Sequence, residues 1–162
     1  MAAVVVVSGA LVTGAPPAGA NDDPHRFYVA AEPFDIVGVC PFPVHVDIVT
    51  NREYATETDL ADGTVVLEIT GSLVWRLTNT ETGESRTYNI SGPGTVTIDG
   101  SVWRLETRGL GLFYVTNGAD FGLPNLLYAS GPFAFTTDTA TDTIVSVERS
   151  PHVKEDVCET LA

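Results

Sequence analysis

The sequence predicts an all-β domain, and three observations carry that reading. From Leu73 to Thr116, short runs of Val, Ile, Leu, Thr and aromatic residues alternate with turn residues, as in consecutive antiparallel strands. Thr82-Gly83, Gly92-Pro93-Gly94 and Asp99-Gly100 separate those runs, and Asp-Gly between alternating segments is the strongest short-range hairpin signal. No long segment sets apolar residues at helical spacing between proper caps. About nine short strands and at most one short helix follow. The consecutive hairpins favour an antiparallel barrel, up-and-down or Greek-key, with a two-sheet β-sandwich as the alternative.

The elements can be taken in order. Val4 to Val7 and Ala10 to Val12 form a short apolar core that Pro16-Pro17 breaks, and Ala18-Gly19-Ala20 matches a small-residue cleavage site. No Lys or Arg precedes this core. The expectation is a signal peptide over 1–20 and a single β domain over 21–162. Arg26 to Ala30 reads as an arm or first edge strand. Phe34 to Cys40 is a short apolar run, and Pro41 and Pro43 interrupt the ladder after it. Val44 to Val49 alternates, with Val44, Val46 and Ile48 on one face and His45 and Asp47 on the other. Thr50 to Asp59 reads as either an exposed strand or a loop. Val65 to Leu77 reads as one long strand kinked at Gly71. Within it Leu73, Trp75 and Leu77 share the core face and Arg76 points away. Val102 to Glu106 follows the same pattern around Trp103 and Arg104. Leu110 to Thr116 is the most apolar strand, and Asn117 to Pro124 is a turn-rich loop. Leu126 to Ser130, Phe133 to Thr136 and Ile144 to Val147 complete the strands. Val153 to Leu161 reads as a short helix or tail carrying Cys158.

The charge balance narrows the function classes. Asp and Glu number 21 against 8 Lys plus Arg, a formal net charge of −13. Such a chain lacks the basic face that nucleic acid requires and is repelled by anionic lipid. No apolar run is long enough for a membrane span. Cys40 and Cys158 stand near the two ends of the expected mature chain. In an exported protein such a pair is expected to bridge, locking the first strands to the C-terminus.

Several local features coincide: Val39-Cys40-Pro41-Phe42-Pro43-Val44, the turn from Thr78 to Gly83, Asn89 to Gly94, Leu127-Tyr128 with Ser130-Gly131, and Asp156-Val157-Cys158. Together they resemble a group of small secreted proteins common in actinobacteria. The resemblance spans about Phe34 to Ala162 and implies export, a β fold and a paired-cysteine framework. It implies no activity, cofactor or catalytic residue.

Chemistry-bearing motifs are sparse. There is no nucleophile elbow, P-loop or dinucleotide fingerprint. His45 and Asp47 share one strand face, a spacing that suits a general base with an orienting carboxylate or two metal ligands, and equally a plain polar face. Asp138 to Asp142 resembles a calcium loop only loosely, since the glycine that such loops need is missing. Trp75, Trp103, Tyr114 and Tyr128 are core aromatics by default. In a wide enough barrel they line an apolar pocket, with Arg76 or Arg104 supplying a polar contact. The expected function is therefore a secreted, non-enzymatic binding domain for a small apolar ligand or an extracellular partner, without cofactor or metal. A small barrel enzyme (cyclase, isomerase or hydrolase) using His45 and Asp47, and an envelope structural protein, are the alternatives.

Overall fold

The described residues, 25–141 and 143–162 of a computed structural model, pair in antiparallel ladders that sort into three sheets rather than one. The expected signal peptide and Asp142 lie outside them. The strands are β1 (His25–Tyr28), β2 (Phe34–Ile36), β3 (Val44–Asn51), β4 (Tyr54–Asp59), β5 (Val65–Thr70), β6 (Leu73–Asn79), β7 (Ser85–Asn89), β8 (Gly94–Asp99), β9 (Val102–Thr107), β10 (Leu110–Tyr114), β11 (Leu126–Ser130), β12 (Phe133–Asp138), β13 (Thr143–Arg149) and β14 (His152–Asp156). A single helical turn, α1 (Val157–Thr160), follows, and Gly118–Phe121 forms a 3-10 turn. The large sheet runs β1-β4-β5-β8-β9-β12-β13, the second β2-β3-β6-β7 and the smallest β10-β11-β14.

The all-β expectation holds, and the layering is sandwich-like. The barrel expectation does not hold, because none of the three sheets closes on itself. Hairpin signals fix which neighbours pair, not which sheet a hairpin joins. The run from Leu73 to Thr116 is thus divided: β6 and β7 sit in the second sheet, β8 and β9 in the large one, and β10 in the smallest. The switch at Gly71 shows how. What reads as one kinked strand is two, β5 and β6, in different sheets. Gly71 has φ +142°, and a Cβ there would collide with the backbone of Arg52 and Glu53. Only glycine suits a chain that must change layers under so close a neighbour.

The smallest sheet is the middle layer. Along β10, Leu112 and Tyr114 enter a core with Val44, Val46, Trp75 and Leu77, whereas Phe113 packs into a second core with Phe133 and Phe135. Along β11, Leu126 joins the first core and Leu127 and Ala129 the second. Burial on both faces accounts for the unbroken apolar runs that make these the least alternating strands in the sequence. Leu126 and Leu127 are both fully buried, each stabilising the fold by roughly 1.5–3 kcal/mol.

The C-terminus is fastened at several points. Cys40 and Cys158 form a disulfide, with Cα atoms 5.4 Å apart across 118 residues of sequence. The Asp156 carboxylate caps α1 by accepting from the Cys158 and Glu159 amides. Asn79, almost wholly buried, donates through Nδ2 to the Leu161 carbonyl at 2.8 Å and accepts at Oδ1 from the Glu81 amide. Val157 and Leu161 are completely buried. The Tyr88 hydroxyl donates to Glu155 at 2.5 Å, joining β7 to β14.

Replacing both cysteines (Cys40→Ala with Cys158→Ala) is expected to lower unfolding free energy by about 4–5 kcal/mol, the chain-entropy value for a loop of this length. Urea titration of the oxidised wild type against the double variant checks this.

Candidate functional site

A cavity of about 590 Å³ opens where the three sheets meet. The large sheet contributes Ile69, Gly94, Leu105 and Thr107, the second sheet Phe34, Ile36, Leu73 and Trp75, and the middle layer the whole of β10. The segment from Val29 to Pro33 and the residues Ile90 and Gly92 close its sides. Phe34 and Trp75 meet edge to face with ring centroids 5.5 Å apart. Gly111 lets the Phe113 ring lie close against β10, since a Cβ there would run into that ring.

Two polar groups stand in this apolar lining without partners among the described residues. Trp75 is 4% exposed, and its Nε1 is buried with no hydrogen-bond acceptor. Glu53 is 9% exposed, and its carboxyl group makes no hydrogen bond or ion pair with a described residue. Burial alone pushes that carboxyl above the ordinary carboxylate range. Its position is fixed by backbone and by Asn51. The Glu53 amide donates to Asn51 Oδ1 at 3.0 Å, and the Glu53 carbonyl accepts from the Val29 amide at 3.0 Å. Asn51 Nδ2 donates to the Val29 carbonyl at 2.7 Å. One asparagine thus ties the cavity's loop wall to the turn that carries the acid. Glu32 and Asp35, both exposed, also line the site, and among the described residues no Lys, Arg or His does.

Of the residues singled out from sequence, Trp75 and Tyr114 line the cavity; Trp103 and Tyr128 do not. Trp103 is half-buried on β9 opposite Ile98 and Thr137. Tyr128 packs against Tyr88 and donates its hydroxyl to the Asn89 carbonyl. Arg76 and Arg104 face away from the neighbouring tryptophans, into ion pairs with Asp47 and with Glu106 and Glu148.

His45 and Asp47 lie outside the cavity, in a charged row across β2, β3 and β6. His45 stands directly opposite Asp35, and Asp47 opposite Arg76. His45 Nδ1 donates to Asp35 Oδ1 at 2.6 Å, while Nε2 lies 3.6 Å from Asp47 Oδ1. The bond to Asp35 raises the imidazole above its ordinary value, and Arg76 holds Asp47 below its own. These are cross-strand pairs on an exposed face. No group of three or more His, Cys, Asp or Glu among the described residues is placed to hold a metal ion.

No family model, no curated protein and no solved structure matches the chain.

The sequence reading missed Glu53. It sits in the polar stretch from Arg52 to Asp59, where nothing separates one buried acid from its exposed neighbours. It also missed the wall from Val29 to Pro33, which belongs to no ladder.

Two measurements follow. Because folding raises the Glu53 pKa, its contribution to stability is full in acid, below the unfolded value, and is lost as pH rises through the folded one. Glu53→Gln is therefore expected to raise the melting temperature at neutral pH and to lose that advantage in acid, as thermal melts across pH would read. NMR titration of His45 is expected to give a pKa above 6.5, falling back in Asp35→Asn and moving less in Asp47→Asn.

Proposed function

We propose that this protein is an exported binding domain whose cavity holds a small, mostly apolar ligand. The cavity at the meeting of the three sheets carries the reading. Its volume falls within the range of small-molecule sites, and its walls are apolar with a few polar groups, the composition such sites share. The disulfide suits an oxidising compartment, and no helix of the described residues is long and apolar enough to cross a membrane. Binding is favoured over catalysis because His45 and Asp47, the pair that a barrel enzyme would use, are spent on cross-strand contacts outside the cavity.

Titration with an environment-sensitive apolar dye is expected to saturate at one site per chain and to shift the Trp75 emission. Ala31→Trp, which places an indole on the loop wall, is expected to weaken that binding by about tenfold, near 1.4 kcal/mol. A dye that binds without saturation, or equally well to Ala31→Trp, would count against the cavity as its site. Native mass spectrometry of protein taken from its own culture medium would show the natural ligand directly.

A further inference from the structure

Resting on the reading of the cavity as a ligand site, we propose that its ligand is a lipophilic amine, with Glu53 as the counter-ion to the ammonium group. Four observations converge on this class. Glu53 as a residue is only 9% exposed, and no described residue bonds its carboxyl group. A buried acid without a donor is costly unless something supplies one. Among the described lining residues every ionisable side chain apart from Tyr114 is a carboxylic acid, so no cationic side chain of the lining competes for Glu53. The walls include the aromatic rings of Phe34, Trp75 and Phe113, whose faces attract a cationic head group while their area takes up an apolar body. The chain's net charge of −13 draws cations toward it and disfavours anionic ligands.

The hydrocarbon portion faces Ile69, Leu73, Leu105 and Leu112. The acid is held from behind by the contacts of Asn51, which fix its backbone and leave its carboxyl oxygens unused.

The test compares two probes of matched shape, phenylbutylamine and phenylbutanol, by isothermal titration of the full-length oxidised protein. The amine is expected to bind about tenfold more tightly than the alcohol. In Glu53→Gln, which keeps the side chain's shape, the amine is expected to fall to the alcohol's affinity while the alcohol is unchanged. Equal binding of both probes to the wild type would overturn the amine assignment and leave the apolar-ligand reading standing. An amine preference that survives in Glu53→Gln would overturn the role of Glu53. Binding of neither probe, together with no saturable dye binding, would overturn both readings. The wild-type comparison needs no variant, so it decides the question even if Glu53→Gln folds poorly.

Discussion

Burial of β10 and β11 on both faces is the constraint on which the rest of the molecule depends. A sheet with one wet face needs one partner. A three-stranded sheet with none needs two, and here it finds one in each of its larger neighbours. Leu112, Tyr114 and Leu126 fill one interface, and Phe113, Leu127 and Ala129 the other. Two sheets held apart by a third meet only at its margin. The cavity lies at that margin, along β10. The space follows from the layering.

The chemistry within that space is a tension between burial and charge. An isolated carboxylate loses solvation in an apolar setting and gains nothing unless a donor arrives. Asn51 makes the placement stable without relieving it, since its hydrogen bonds go to the Val29 carbonyl and the Glu53 amide, not to the acid group. The His45 row is the reverse case. Each of its charges faces an opposite charge on the next strand, on an exposed face. The first arrangement leaves its acid unpaired among the described residues; the second pairs its charges.

Much of the fold was legible because its signals are local. Alternation at Leu73, Trp75 and Leu77 gave the correct buried face, and Arg76 turned outward with it. Asp99-Gly100 marked a real hairpin between β8 and β9. Cys40 and Cys158 were readable as a bridge because only one pairing exists. The barrel failed because closure is a property of strand order over the whole chain, and neither Gly71 nor the segment from Ser91 to Pro93 says in which sheet the next strand will pair. Short or irregular pieces escaped for the same reason. Most of β14 falls in the stretch from Val153 to Leu161 that reads as a short helix or tail, because His152–Asp156 earns its place from the register with β11 rather than from its own pattern. Only Trp75 and Tyr114 of the four aromatics line the cavity: Trp75 and Trp103 sit in nearly identical sequence, yet only the first borders the space between sheets. Glu53 carried no signal at all, because its burial is imposed by segments that come before and after it.

The fastening of the C-terminus also bears on how the chain reaches this state. Asn79 waits for Leu161 across 82 residues, and Cys40 waits for Cys158 across 118. β11 cannot gain its second neighbour until β14 has been made. Loops of this length are slow to close, and topologies dominated by distant pairings fold slowly. The central layer therefore completes its hydrogen bonding only when the last few residues are free to dock. Until then the apolar strand β11 has an open edge, of the kind that invites aggregation. The Cys40–Cys158 disulfide then ties α1 to the segment that leads into β3.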